Sequence, residues 1–236
     1  MNMDVAFNPW AKQIYYSKKE IDLMCVQELK KADCLPQEIE PVRIDRFIEK
    51  HYTGIRYDDL GEGVLGCTSF LPTGRIEAVI ISSRLDDNRV PSERRLRATL
   101  AHEAGHCMLH ASLFLQPSSL GLWGAPRDRK NKKKQIVCRQ ESIAVVDEGC
   151  RRKYQWQEYQ ANCAIGGFLL PQLIFKEAIG RYSRISPITK IPRLTSDPNV
   201  REKIARDLSD VFEVNPIVVR IRIQETFPSD EGQETF

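Results

Sequence analysis

The sequence lacks an apolar run long enough to span a membrane, and no apolar signal segment follows its first seven residues. A membrane-spanning helix needs about 20 consecutive apolar residues, and a secretory signal needs an apolar core behind a basic start. The net charge is only +3, which is too small by itself to indicate nucleic-acid binding. These absences predict a cytoplasmic protein that has no membrane partner.

Cysteine pairs are also lacking, since the seven cysteines are odd in number, scattered, and form no C-x-x-C motif. A disulfide framework is typical of small secreted chains with paired cysteines, so we expect reduced thiols. Cys138 and Cys150 are interpreted as free thiols, with metal binding or mutual pairing as the alternative. Cys25, Cys107 and Cys163 lie on predicted helix faces and are expected to be small core residues.

The sequence does contain H-E-x-x-H, in the run LRATLAHEAGHCMLH from Leu96 to His110. Residues four apart lie one turn above each other on a helix, so His102 and His106 can bind one metal ion. Glu103 is the candidate catalytic base, because it lies close enough to take a proton from an activated water. The apolar flanks predict a core helix, in which unpartnered His and Glu side chains are costly. The alternative is an exposed helix face without a metal.

A catalytic zinc site takes three protein ligands and keeps a position for water, whereas a structural site takes four. The candidate for the third ligand is Glu158, in the run WQEYQANCAIGGFLLP, which has helical spacing and stops at Pro171. Glu158 and Asn162 share one face of this helix, so the amide can brace the site that the carboxylate completes. Zinc bound by His102, His106 and Glu158 is the predicted cofactor.

His110 lies one further turn along the same helix face. His102 and His110 are about 12 Å apart along the helix axis, so three histidines on one straight helix cannot easily bind one metal. We therefore expect His110 to support a ligand or to lie in the core, with direct ligation as the alternative. The third histidine of a metzincin would fall at Ser112, which argues against that class.

The segment HEAGHCMLH, followed by a helix that reads EYQANCA and ends in LLP, resembles the ImmA/IrrE family of zinc metallopeptidases. That family pairs an H-E-x-x-H helix with a later E-x-x-A-N helix and a Leu-Leu-Met-Pro-like ending. The sequence departs from this pattern by lacking the Met and by carrying a long basic insertion. The resemblance implies zinc binding by His102, His106 and Glu158, with Glu103 as the catalytic base. It further implies that the substrate is a helix-turn-helix repressor of a mobile element or a stress response.

The expected fold class is α+β, with a small mixed or antiparallel sheet packed on a zincin-like pair of active-site helices. Helices and then extended segments are predicted before the metal-binding helix, at residues 18–32 and 42–51 and at 54–57, 64–70 and 75–82. The strand at 76–81 is interpreted either as a plain core strand or as an edge to which an extended substrate adds.

The basic insertion covers residues from about 124 to 150. Within it, residues 127–134 hold six basic side chains in eight and are expected to be solvated, with nucleic-acid binding as the alternative. Residues 136–139 and 142–146 are expected to form a hairpin that covers the mouth of the active site.

The metallopeptidase domain is predicted to cover residues 1–195. A C-terminal helix-turn-helix-like segment is predicted at 196–228, followed by a disordered tail at 229–236. The leading hypothesis is a zinc-dependent endopeptidase that acts on a protein substrate. The alternative is a regulator that binds DNA or a protein partner through its C-terminal segment and has only a structural metal site. A structural site would need a fourth protein ligand, which His110 or Cys138 would have to supply.

Overall fold

The computed structural model describes residues 15–71, 73–87, 89–114, 134–139, 153–185 and 192–228. These residues form an α+β fold. The α-helices are α1 (Lys18–Lys31), α2 (Ile44–His51), α3 (Val90–His110), α4 (Lys153–Leu169), α5 (Gln172–Gly180), α6 (Pro198–Val211) and α7 (Pro216–Thr226). The strands are β1 (Ile55–Asp58), β2 (Val64–Phe70), β3 (Ile76–Ser82), β4 (Lys134–Arg139), β5 (Arg184–Ile185) and β6 (Pro192–Arg193).

The main sheet has four strands in the order β1-β3-β2-β4. Strand β1 pairs in parallel with β3, and β2 pairs antiparallel with both β3 and β4. Because β3 has a neighbour on each side, the strand predicted at 76–81 is a core strand. Its interpretation as a free edge for substrate is wrong, and the outer strands among those described are β1 and β4.

Helix α1 begins with a capping box, as the sequence predicts. The backbone N–H of Glu20 donates to Ser17 Oγ over 3.3 Å, and the backbone N–H of Ser17 donates to Glu20 Oε2 over 2.7 Å. The helix buries Ile21, Cys25 and Leu29 and packs against α4. It therefore covers part of the surface of α4.

Helices α3 and α4 make the most extensive contact between helices. From Ala98 to His110 nearly every residue of α3 is buried. The sheet covers another side of α3, mainly through β2. The H-E-x-x-H segment therefore lies between α4 and the sheet, where a metal ligand can come from either.

The C-terminal helices share the core of the preceding part of the chain. Leu208, Phe212 and Val219 belong to the same hydrophobic cluster as Phe47 and Phe168. Between the two helices the chain turns sharply, and α7 is then capped by an asparagine side chain that accepts from the backbone N–H two residues on. The helix, turn and helix predicted from the apolar pattern at residues 200–226 are present, packed against the core.

A second, smaller cluster of buried residues contains Phe70, Phe114 and Ile136. The rings of Phe70 and Phe114 are stacked with their centroids 4.3 Å apart. This cluster joins β2 and β4 to the 3₁₀ turn that follows α3, and so fixes β4 beside the end of α3.

Several predicted features fall outside the described residues. They are the basic residues up to 133, the second segment of the expected hairpin at 142–146, Cys150, and the tail at 229–236. In the described part of the chain, no single helix is long and apolar enough to cross a membrane. Only α4 and α5 taken together reach that length and apolarity, and they are bent by 57° relative to each other.

Candidate metal centre

The three predicted metal ligands converge where α3 crosses α4. The Nε2 atoms of His102 and His106 are 3.0 Å apart. Glu158 Oε2 lies 3.3 Å from Nε2 of His102, and Glu158 Oε1 lies 3.3 Å from Nε2 of His106. All three side chains are buried. The cluster can hold a metal ion, as its ligand atoms all lie within 4.8 Å of one another.

The carboxylate of Glu158 has the properties of a ligand for a cation. Both of its oxygens are buried without an aligned hydrogen bond, an arrangement that is costly unless something else binds there. Burial alone would raise the pKa of Glu158, but His106 and His102 hold this pKa well below its usual range. The group is therefore a charged carboxylate facing two imidazole nitrogens, a donor set that fits a divalent metal.

Asn162 determines which nitrogen of His102 faces the site. Its Oδ1 lies 2.9 Å from His102 Nδ1, and a carbonyl oxygen can only accept, so we assign the proton of the ring to Nδ1. Nε2 then carries the lone pair that a metal needs. The sequence predicted this bracing role, because Asn162 lies one turn beyond Glu158 on the same face of α4.

His110 and Gln160 do the same for His106. The Nδ1 atoms of His106 and His110 are 2.9 Å apart, and His110 Nε2 lies 3.2 Å from Gln160 Oε1. If Nε2–H of His110 donates to Gln160, its Nδ1 accepts from His106, whose Nε2 is left for the metal. Burial and the adjacent His106 lower the pKa of His110 to about 3. The ring is therefore neutral, as these two hydrogen bonds require. His110 thus supports a ligand and is turned away from the metal position.

Glu103 lies on the side of the site that faces the sheet. Its Oε2 accepts a hydrogen bond of 2.5 Å from Thr68 Oγ1, whereas its Oε1 is buried without a hydrogen-bond partner. Burial raises the pKa of Glu103 to about 7. A general base works best when its pKa lies near the operating pH, so this carboxyl group can exchange a proton near neutrality.

Strand β2 reaches Glu103 only because residue 66 is glycine. A Cβ at Gly66 would lie 2.6 Å from Glu103 Oε1 and 2.9 Å from Thr99 Cγ2, so any side chain there would displace the base. Neither Gly66 nor Thr68 was predicted from the sequence to be part of the site. The available signal was small: a glycine and a threonine inside a strand, VLGCTSF, that is otherwise mostly apolar.

A second group of possible ligands shares His102 with the first. It consists of His102, Glu103 and Cys138, whose ligand atoms also lie within 4.8 Å of one another. Cys138 is fully buried on β4, and this burial raises the pKa of its thiol. The position of Cys138 beside His102 and Glu103 is compatible with the alternative prediction that this residue binds metal.

No model of a known protein family, no curated protein and no solved structure matches the chain. The resemblance to the ImmA/IrrE family accordingly stays a prediction. A function has to be inferred from the site itself, because a fold class alone does not define one.

Proposed function

We propose that the protein is a zinc-dependent endopeptidase. The observation that carries this proposal is the convergence of His102, His106 and Glu158 on one point, with the unpartnered Oε1 of Glu103 beside it. Two imidazoles and one carboxylate are a recognised ligand set of catalytic zinc. A general base next to such a set is the arrangement that hydrolysis by an activated water requires.

Zinc held by His102, His106 and Glu158 would act as a Lewis acid, which would polarise a peptide carbonyl and lower the pKa of a water to near neutrality. Glu103 accepts the proton of that water through Oε1, which has no competing hydrogen bond. Thr68 holds the other oxygen and so keeps the carboxylate aimed at the site. Glu103 can then return the proton to the leaving amine, because a carboxylate that has accepted a proton can donate it in the next step.

Asn162 and His110 contribute by fixing the two imidazole rings. Each occupies the Nδ1 side of a histidine ligand, which leaves both Nε2 lone pairs directed at one point. Partners of this kind orient the ligands and raise their basicity. The zincin-like pair of helices expected from the sequence is therefore proposed to be α3 and α4.

The substrate is proposed to be a protein, and by the family resemblance a helix-turn-helix repressor. Among the described strands of the main sheet, β4 is the outer one next to the site. An extended peptide could pair with this edge of the sheet, since backbone pairing with a sheet edge is a common mode of peptide recognition. The cytoplasmic location stays a prediction.

The alternative, a regulator that reads DNA through α6 and α7, has less support. A recognition helix needs exposed polar and basic side chains. On α7, however, Arg222 is buried and pairs with Asp22 over 2.7 Å. Arg220 is held by Glu202 over 2.7 Å. We therefore propose that this helix-turn-helix-like segment is a structural or partner-facing part of the peptidase.

The proposal is tested by measuring bound metal and peptide cleavage in the wild type and in two variants. Glu158→Ala should lose most of the roughly one zinc per chain expected for a single site. Glu103→Gln should keep its zinc but no longer cleave a peptide library derived from a proteome, as read by mass spectrometry. Zinc retained by Glu158→Ala would mean that α4 supplies no ligand. Cleavage by Glu103→Gln at the wild-type rate would contradict the peptidase proposal.

A further inference from the structure

We propose that Cys138 is a fourth ligand of the metal and that its sulfur takes the coordination position a water needs, so that the metal-loaded chain with Cys138 bound is a latent form. The ligand assignment concerns metal binding alone. Latency additionally rests on the proposed peptidase function. Two observations connect Cys138 to the site: its strand pairing with Gly66 and the distances of its sulfur from His102 and Glu103.

The pairing of β2 with β4 directs the side chain of Cys138 towards α3. Gly66 and Cys138 are partners across the two antiparallel strands, and such partners project from the same face of a sheet. Gly66 faces α3, because a Cβ there would meet Glu103 Oε1 at 2.6 Å. Thr68, two residues along the same face, donates to Glu103.

The sulfur also lies beside His102, the residue that the two groups of possible ligands share. Sγ of Cys138 and the ligand atoms of His102 and Glu103 are all within 4.8 Å of one another. Glu103 Oε1, which is fully buried and without a hydrogen-bond partner, belongs to the same small space. In a peptidase the water lies between the metal and the base. A sulfur atom in this space therefore competes directly with that water.

His110, the other residue considered for a fourth ligand, does not compete with Cys138. It is turned towards His106 and Gln160 by two hydrogen bonds. Cys67 neighbours Gly66 in sequence and so belongs to the opposite face of β2. Two histidines, a carboxylate and a thiolate would complete the four-coordinate shell that zinc adopts in closed sites.

Ligand formation is an acid-base step that needs no oxidant. The S–H bond of Cys138 breaks, the sulfur keeps the electron pair and shares it with the metal, and the proton leaves to solvent. The reverse step requires β4 to move away from the metal. Among the described strands β4 pairs only with β2, and its Ile136 packs with Phe70 and Phe114. Withdrawal of β4 therefore breaks one strand pairing and this small cluster, and leaves the candidate ligands on α3 and α4 in place.

The ligand assignment is tested by optical spectroscopy of the protein loaded with Co²⁺ in place of zinc. A coordinated thiolate gives an intense sulfur-to-cobalt charge-transfer band in the near ultraviolet. We expect this band in the wild type and in the matched control Cys67→Ser, and we expect its loss in Cys138→Ser with binding of about one Co²⁺ per chain retained. Cys138→Ala serves as a second variant if the serine protein does not fold. A wild-type spectrum without the band would overturn the assignment.

Latency is tested by peptide-library cleavage with the zinc-loaded proteins. Cys138→Ser should cleave at least about tenfold faster than the wild type and Cys67→Ser. This ratio is expected if chains with the sulfur on the metal outnumber chains without it by about ten to one. Equal rates, or loss of metal from Cys138→Ser, would overturn latency. The two failures are distinguishable. A cobalt band without cleavage by any protein contradicts the peptidase and supports the ligand, whereas cleavage without a band contradicts the ligand alone.

Discussion

Gly105 on α3 lies directly against Ala161 on α4, at the point where the two ligand-bearing helices cross. A Cβ at Gly105 would come within 3.1 Å of the Ala161 Cα and 3.2 Å of its carbonyl oxygen. These are backbone atoms, which cannot rotate away as the end of a side chain can. His106 follows Gly105 directly, and Glu158 precedes Ala161 by three residues. The glycine therefore sets the distance between the histidine ligands and the carboxylate.

Gly105→Ala should weaken metal binding although alanine is the better helix former by about 1 kcal/mol. The added methyl group separates α3 from α4 and carries Glu158 away from the two Nε2 atoms. We expect the dissociation constant for zinc to rise by roughly 10- to 100-fold, as when the support of a metal ligand is disturbed. Competition with a chromogenic chelator measures this constant.

The control for this variant is Gly180→Ala at the end of α5. An added Cβ there has no neighbouring atom within 4 Å, so zinc affinity should not change and stability should stay equal or rise. If both variants bind zinc as the wild type does, the helix crossing does not control the ligand geometry.

The candidate ligand set could be predicted from sequence because it depends on spacing within two helices. His102 and His106 are four residues apart on a helix with apolar flanks, and Glu158 lies in a second segment of helical periodicity. The same reasoning about distance along a helix axis predicted a supporting or core role for His110, and His110 does contact the candidate ligand His106. It did not identify Gln160 as a partner of His110.

The contribution of the sheet could not be predicted in the same way. Thr68 bonds to Glu103 across 35 residues of sequence, and such a contact depends on strand order and register, which no local pattern encodes. For the same reason, the free edge expected at residues 76–81 is wrong. A central and an edge strand have the same apolar composition when both are buried. Cys138 was considered as a ligand from its residue type, but only its pairing with Gly66 gives its direction.

His110→Leu should weaken zinc binding by roughly 10- to 100-fold. The substitution leaves Nδ1–H of His106 buried without an acceptor. The ring can then turn, and its Nε2 no longer points to the metal position. His110→Gln offers a carbonyl oxygen as a new acceptor and should recover part of the affinity. The dissociation constant is again measured by chelator competition. The control is His51→Leu on α2, whose ring contacts Glu28, Phe47 and Tyr52. A similar loss there would point to a general effect of removing a histidine.

Glu103 should make the stability of the metal-free protein depend on pH. Its pKa is raised from 4.5 to about 7 in the folded chain, so the folded state binds the proton more tightly than the unfolded one. The resulting stabilisation is present in full below pH 4.5 and is lost as the pH rises through 7, by an amount on the order of 3 kcal/mol.

Urea unfolding of the metal-free wild type and of Glu103→Gln, at several pH values between 4 and 8, measures this dependence. The variant has no ionisable group at position 103, so the difference in unfolding free energy between the two proteins should change across this range. The lowered pKa of Glu158 acts in the opposite direction and below this range, and it is common to both proteins. Two parallel curves would mean that Glu103 titrates normally.

Arg222 joins α7 to α1 and to the residue that directly follows α4. Its Nη1 lies 2.7 Å from Asp22 Oδ2 on α1, and its Nε donates to the carbonyl oxygen of Leu170, just beyond α4, over 3.1 Å. Only 4% of Arg222 is exposed. The contact therefore links the C-terminal segment to the helix that carries Glu158.

Arg222→Met should lower the unfolding free energy by about 2–3 kcal/mol, because it leaves Asp22 and the Leu170 carbonyl without their charged partner in a largely buried place. Arg220, two residues earlier on α7 and on a different face of the helix, provides a matched control. It also makes an ion pair, with Glu202 at 2.7 Å, but its side chain is 47% exposed. Since exposed pairs contribute little, Arg220→Met should cost less than about 1 kcal/mol. Urea unfolding of the zinc-loaded proteins compares the two, and equal losses would show that the C-terminal segment is not anchored through Arg222.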